Sequence, residues 1–255
     1  MYYEIHGSGY PFILIRGLSS DVYRWPPSFV EEIAKYFKII LFDNRGAGRT
    51  DKPDIEYSMK MMADDTIGLM NALYIKQAIV LGFSMGGAIA QEIALNYPDR
   101  VKKLVLCGAA CGGPQSVVAA EEVYVSLSSD REGLTPEETI RNSLPLLFTE
   151  DFIKNNPGKI DEFVARSILA IIPPYSYRRQ LAAISKFNSF NRLKNITTPT
   201  FVISGKEDIL VPPQNSEILA ENISGAKLVL LDDLAHDMFS QDPISTAKTI
   251  INLIK

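Results

Sequence analysis

The stretch Gly82-Phe83-Ser84-Met85-Gly86 sets one hydroxyl between two glycines, after the apolar run Ala78-Ile79-Val80-Leu81 and before a segment of helical periodicity. A serine on such a strand-to-helix turn is held clear of the sheet, and the glycines give the tight turn its room. The chemistry that suits it is nucleophilic attack on a carbonyl carbon. A hydroxyl is a poor nucleophile at neutral pH, so it needs a base within reach and a third group to orient that base. The chain has two histidines, His6 in an amino-terminal strand and His236 in Ala235-His236-Asp237-Met238-Phe239. His236 follows the last predicted strand, on a loop leaving the carboxyl edge of the sheet, where open α/β folds bind ligands. It is the candidate base. Asp208, in Gly205-Lys206-Glu207-Asp208, leaves the preceding strand at the same edge and is the candidate orienting acid. Glu207, Asp232, Asp233 and Asp237 are its rivals. Asp232 and Asp233 suit the capping or solvation of a turn, and Asp237 adjoins the histidine, where neighbouring loop side chains diverge. The other use of a Gly-rich turn before a helix, cradling phosphate, lacks its Walker-type lysine here.

Composition narrows the classes. The 255 residues are 46% hydrophobic and 22% charged, enough for one large α/β domain or a core with an insertion. Twenty-six basic against thirty acidic residues give a net charge of -4, without a Lys/Arg run, so a nucleic-acid partner is not expected. No uncharged apolar segment reaches the length of a membrane span, and Met1-Tyr2-Tyr3-Glu4 is unlike a signal peptide, so a cytoplasmic protein without a membrane partner is expected. Cys107 and Cys111 lack the further Cys or His of a zinc site and are expected to pack; no metal and no cofactor are expected.

These side chains need a scaffold, and the hydrophobic pattern supplies one. Tyr2 to His6 and Phe12 to Ile15 read as strands joined by the turn cluster Gly7-Ser8-Gly9-Tyr10-Pro11, which suits a hairpin. A helix is predicted from Pro26 to Phe37, a strand from Ile39 to Phe42, and a second helix capped by Ser58 with Met59, Met62, Ala63, Thr66, Ile67 and Met70 inward. The helix after Ser84 runs to Tyr97, and Val101 to Leu106 is a further buried strand. This alternation implies a parallel sheet with right-handed crossovers. Between about Cys111 and Phe190 only helical patterns follow. Thr135-Pro136-Glu137-Glu138 is a capped start, Ile160, Phe163, Val164, Ile168 and Ile171 mark a helix stopped by Pro173-Pro174, and Tyr177, Leu181 and Ile184 mark another. Strand patterns return at Thr200 to Ser204 and Lys227 to Leu231, with helices near Gln214 to Glu221 and Pro243 to Ile254. The expected division is a core of 1–110 and 191–255 with a helical lid, 111–190, inserted in it.

The chain order Ser84, Asp208, His236 is that of the α/β-hydrolases, and the sequence resembles that superfamily over nearly its whole length outside the predicted lid. Asp43-Asn44-Arg45-Gly46-Ala47-Gly48, Gly205-x-x-Asp208 with Pro212 after it, and His236 with Asp242-Pro243 beyond add to the resemblance. Gly82-Phe83-Ser84-Met85-Gly86-Gly87 and Cys107-Gly108-Ala109-Ala110-Cys111-Gly112-Gly113 are similar to the branch of 3-oxoadipate enol-lactonases and related carboxylesterases. The resemblance implies an α/β-hydrolase fold: a mostly parallel central sheet, helices on both faces and an inserted helical lid. It further implies an acyl-enzyme on Ser84, His236 as base and then acid, Asp208 holding the imidazole tautomer, and an oxyanion met by the backbone N–H groups of Leu18 and Met85. Relatives with an aspartate nucleophile are excluded by Ser84.

One position departs from the family, which usually has His-Gly where this chain has Arg16-Gly17. A guanidinium cannot accept a hydrogen bond, so a carboxylate or carbonyl partner is expected, with Asp43 at the end of the next core strand as candidate. The leading expectation is hydrolysis of a small carboxylic ester or lactone, with Phe148, Phe152, Phe163, Tyr175 and Tyr177 as candidate contacts to a mostly hydrophobic substrate; each of these aromatics also suits the lid's own core. Carbon-carbon hydrolysis of a vinylogous diketone is an alternative, with Arg178 and Arg179 as candidates for the extra cation it needs. A slow-turnover ligand sensor on the same fold is a third reading.

Overall fold

The computed structural model describes residues 1–129, 133–170 and 172–255. In the first half, strands β1 (Tyr3–His6) and β2 (Tyr10–Ile15) lead to helix α1 (Pro27–Ala34), β3 (Phe37–Phe42), α2 (Met59–Ala72), β4 (Ala78–Phe83), α3 (Met85–Asn96) and β5 (Val101–Cys107). Five helices follow with no strand among the described residues: α4 (Glu121–Ser128), α5 (Pro136–Leu147), α6 (Glu150–Asn155), α7 (Pro157–Ser167) and α8 (Pro174–Ser185). The chain then returns to β6 (Thr200–Gly205), α9 (Gln214–Asn222), β7 (Lys227–Leu231), the short α10 (Met238–Gln241) and α11 (Pro243–Ile254).

The strands form one seven-stranded sheet in the order β1-β3-β2-β4-β5-β6-β7, parallel throughout except where β1 meets β3. Its central strands are continuous apolar runs because both faces are covered. Ile13, Ile15, Val80, Leu104 and Val202 point into one layer with Met62, Ile89 and Leu219 of α2, α3 and α9. Phe12, Leu14, Ile79, Leu81, Val105 and Ile203 point into the other with Phe29 and Ile33 of α1 and Ile250 and Ile251 of α11. The mostly parallel sheet with helices on both faces is therefore as expected.

The predicted hairpin is not formed. β3 lies between β1 and β2, pairing antiparallel with β1 (Ile5 opposite Ile40) and parallel with β2 (Ile13 opposite Ile40). The reason is exposure: β1 alternates exposed and half-buried residues and suits an edge, whereas Phe12 to Ile15 is wholly buried and needs a neighbour on each side. Phe37 also leaves the predicted first helix to start β3, where its ring meets Phe12 edge-on at 5.6 Å. Pro173-Pro174 opens a helix rather than closing one, since Pro174 takes the first position of α8, where a missing N–H is harmless. Ile171, predicted to end the preceding helix, lies outside the described residues. Other local signals match. Ser58 accepts from the Met61 N–H, Thr135 and Glu138 form a reciprocal cap, and the six inward residues of α2 are buried.

The helices between β5 and β6 carry an apolar cluster of their own, Leu144, Phe148, Ile160, Phe163 and Val164. α8 is instead tied to the loops at the carboxyl edge. Gln180 donates to the Arg45 carbonyl at 2.8 Å and accepts from the Ser19 N–H at 2.8 Å, and Ser176 donates to the Gly46 carbonyl at 2.7 Å.

Candidate active site

Ser84 stands where β4 turns into α3, with φ 56° and ψ -122°, a conformation that a side-chain-bearing residue adopts only under constraint. The constraint is visible on both sides: its N–H donates to the Cys107 carbonyl at 2.9 Å, and its carbonyl accepts from the Gly87 N–H at 2.8 Å. The flanking glycines are required by close backbone approach. A Cβ on Gly82 would lie 2.2 Å from the Gly86 carbonyl oxygen, and one on Gly86 would lie 2.2 Å from that of Ile15. The Gly-x-Ser-x-Gly spacing thus lets β2, β4 and α3 converge beneath a single half-buried serine that lines the cavity.

His236 and Asp208 come from the loops after β7 and β6. Nδ1 of His236 lies 2.7 Å from Oδ2 of Asp208, and both side chains are buried. The other carboxylate oxygen accepts from the N–H groups of Leu210 and Val211 at 3.0 and 2.8 Å, which fixes the plane of the acid. Gly108, at φ 50°, passes close by, and a Cβ there would sit 3.3 Å from the imidazole and 3.4 Å from the carboxylate. Phe83 packs against the ring at 4.8 Å between centroids. With Nδ1 engaged by Asp208, Nε2 is the nitrogen left to exchange a proton. Ser84 and His236 line the same cavity. Of the rivals, Asp232 pairs with Lys206, Asp237 turns to Arg16, and Glu207 and Asp233 are exposed. His6 lies on β1 beside Glu4, 3.2 Å away.

Leu18 follows Gly17 at the mouth of this cavity, where a Cβ on Gly17 would touch the Ser84 side chain at 3.0 Å. Asn44 pins the loop by donating to the Arg16 carbonyl at 2.9 Å. The N–H of Met85 is the first of α3, where no intrahelical acceptor exists. Neither it nor the Leu18 N–H donates to a loop or cap acceptor among the described residues.

The expected partner of Arg16 is not the one found. Its guanidinium donates to Oδ2 of Asp237 at 2.8 Å, with both side chains 1% exposed, and lies over the rings of Trp25 and Phe83 at 4.6 and 4.8 Å. Asp43 is unavailable because the backbone N–H groups of Val22 and Arg49, in its own group of loops, take its two oxygens at 2.8 and 2.7 Å.

The cavity has a volume of about 110 Å³. Leu127, Leu134, Ile140, Leu146 and Leu147 of the helical segment line it together with Ser126, Ser129, Thr139, Asn142 and Ser143, so its walls are more polar than the expected hydrophobic pocket. None of the five aromatic candidates lines it. Phe148 stacks on Phe152 and meets Phe163 edge-on in the segment's own core, with centroids 5.5 and 4.8 Å apart. Tyr175 donates to the Lys52 carbonyl and Tyr177 to that of Leu127, at 2.8 and 2.7 Å. Helical periodicity brought these rings inward toward each other, not toward Ser84. Arg178 and Arg179 are also away from the cavity, Arg179 pairing with Asp54 on the surface at 3.0 Å. The residues that sequence reasoning passed over are Arg24, which lines the cavity, and Asp237, the buried partner of Arg16. No local pattern marks either one, since both act through contacts between distant loops.

Among the described residues, no group of three or more His, Cys, Asp or Glu is placed to hold a metal ion, and no helix is long and apolar enough to cross a membrane. Both cysteines are free and buried, and burial pushes the Cys107 thiol up.

Comparison with known proteins agrees with this fold. The family model of the alpha/beta hydrolase fold matches residues 10–243. The chain is 30% identical to the poly(3-hydroxyalkanoate) depolymerase of Ectopseudomonas oleovorans over 223 residues, covering 88% of this chain and 77% of that protein. It is 29% identical to a protein of Azorhizobium caulinodans named for carbamate hydrolysis, RutD, over 95% of this chain and 90% of that one. Among solved structures, the enol-lactonase from Burkholderia xenovorans LB400 superposes with a TM-score of 0.87 at 26% identity, covering 99% of this chain and 95% of that one.

Proposed function

The chain belongs to the alpha/beta hydrolase family, and on that premise we propose that it is a serine hydrolase cleaving a small carboxylic ester or lactone through an acyl-enzyme on Ser84. The observation that carries this reading is the buried pair of His236 and Asp208 at 2.7 Å, whose histidine lines one cavity with Ser84.

The steps follow from the residues. Ser84 Oγ attacks the carbonyl carbon while His236 Nε2 takes its proton, and Asp208 holds the imidazole and stabilises the imidazolium. The negative charge on the carbonyl oxygen is met by the N–H groups of Leu18 and Met85, both free of other acceptors among the described residues. As the tetrahedral intermediate collapses, His236 returns the proton to the leaving alkoxide. A water then attacks the acyl-enzyme with His236 again as base, releasing the acid and restoring Ser84. The helical segment 111–190 acts as the lid, since several of its side chains wall the cavity. The names of the relatives, a depolymerase, a carbamate hydrolase and an enol-lactonase, accord with attack on an acyl carbon.

The test is labelling with an organophosphate followed by mass spectrometry, alongside steady-state turnover of p-nitrophenyl esters. A single adduct on Ser84, absent from Ser84→Ala, with continuing product release is expected. An adduct on another serine would overturn the assignment, and one turnover without further release would instead favour a ligand sensor.

A further inference from the structure

Arg24 ends the single 3-10 turn Val22–Arg24 that follows the Arg16-Gly17-Leu18 loop, and it faces the cavity shared by Ser84 and His236. It is 8% exposed, so it is a guanidinium buried deeply enough to need a counter-charge. The protein gives it none directly. No carboxylate among the described residues is within ion-pairing distance of it, its side chain donates no hydrogen bond to them, and its enclosed Nε has no acceptor. The Phe163 ring lies 4.4 Å from Cζ and covers one face of the guanidinium.

Among the described residues, Asp237 and Asp21 are the carboxylates whose charge reaches Arg24, and neither bonds its guanidinium; Oδ2 of Asp21 is buried without a hydrogen-bond partner. Asp237 is held by Arg16 at 2.8 Å and by the Ser240 N–H, and Asp21 accepts from the Tyr23 N–H at 3.0 Å. Arg16 and Arg166 add positive charge to the same region. Burial and the neighbouring Arg16 bring the pKa of Arg24 down to about 10, which leaves it charged at neutral pH. A planar fork of N–H donors matches a carboxylate, with Ser126 and Asn142 adding polar groups to the wall.

We propose that Arg24 is an anion-binding residue of this site, taking a free carboxylate on the acyl portion of the substrate, so that the substrate class is esters or lactones bearing that carboxylate. The inference rests on the reading of Ser84 as nucleophile.

The experiment compares kcat/KM for mono-p-nitrophenyl succinate and for p-nitrophenyl butyrate, an uncharged ester of similar size. The wild-type protein is expected to favour the succinate ester, and Arg24→Gln to lower the succinate-to-butyrate ratio on the order of 10²-fold, with partial recovery in Arg24→Lys. An unchanged ratio in Arg24→Gln, or a wild-type protein that prefers butyrate, would overturn the proposal. Succinate itself is the second probe: it should raise the Tm of wild type and Ser84→Ala alike, and not that of Arg24→Gln. Stabilisation by succinate without ester turnover or Ser84 labelling would leave the anion site standing and remove the hydrolase reading. Turnover with no succinate effect and no change in ratio would do the reverse.

Discussion

Arg16 and Asp237, 221 positions apart in the chain, meet at 2.8 Å in a pocket that hides both charges and is walled by Trp25 and Phe83. The pair joins the loop after β2 to the loop after β7, the two segments that carry Leu18 and His236. Removing one partner leaves an uncompensated charge in the interior, so Arg16→Met should destabilise by about 3–5 kcal/mol in urea unfolding. Adding Asp237→Asn, which keeps an oxygen for the Ser240 N–H, should recover much of the loss. A double variant as unstable as the single one would show that packing of the guanidinium, and not its charge, is what matters.

Asp208→Asn should lower kcat on the order of 10⁴-fold, by the serine-protease precedent, with KM little changed, because the amide favours the wrong imidazole tautomer. Asp232→Asn serves as comparison, since that carboxylate pairs with Lys206 on the surface. Steady-state kinetics of the two variants on one aryl ester decide the matter, and a severe effect at 232 with a mild one at 208 would reassign the acid.

The strained backbone at Ser84 predicts a trade between stability and activity. Ser84→Gly should raise stability by about 1–2 kcal/mol, since glycine adopts φ 56° without steric cost, while abolishing turnover. Gly86→Ala should do the opposite to folding, because its Cβ would press on the Ile15 carbonyl oxygen at 2.2 Å. Thermal melts of the two variants test both signs.

Asp21 supplies a pH dependence of stability. Burial, and then the charge of Asp43, raise its pKa from 3.8 to about 6, so the folded chain holds this proton more tightly than the unfolded one. Its contribution is most favourable below pH 4 and is lost as pH rises through about 6. Asp21→Asn keeps an acceptor for the Tyr23 N–H and removes the ionisation. The variant should match wild type at pH 4 and exceed it at pH 8 by about 2 kcal/mol, read from urea unfolding at both values. Equal stability differences at the two pH values would show that Asp21 ionises freely in the fold.

Local chemistry made much of this molecule legible in its sequence. Apolar runs, Ser58, Thr135 with Glu138, and the glycines around Ser84 act over a few residues, so they specified strands, caps and the serine turn directly. The edge position of β1 was harder, because pairing depends on which strand arrives from elsewhere, and the turn before β2 pointed to a hairpin.

What only the tertiary structure decided is the interior of the site. The sequence carries Ser84, Asp208 and His236 in a telling order, yet the 2.7 Å contact of His236 with Asp208 arises because parallel strands deliver their following loops to one edge. The sequence cannot say which arginine finds which acid, since charges on separate loops interact through distances that no spacing encodes. That is why Arg16 pairs with Asp237 rather than Asp43, and why Arg24 stands in the cavity with no carboxylate partner among the described residues. The lid aromatics show the same limit, for helical periodicity tells which side of a helix is buried and not whether a neighbouring helix or a substrate will cover it.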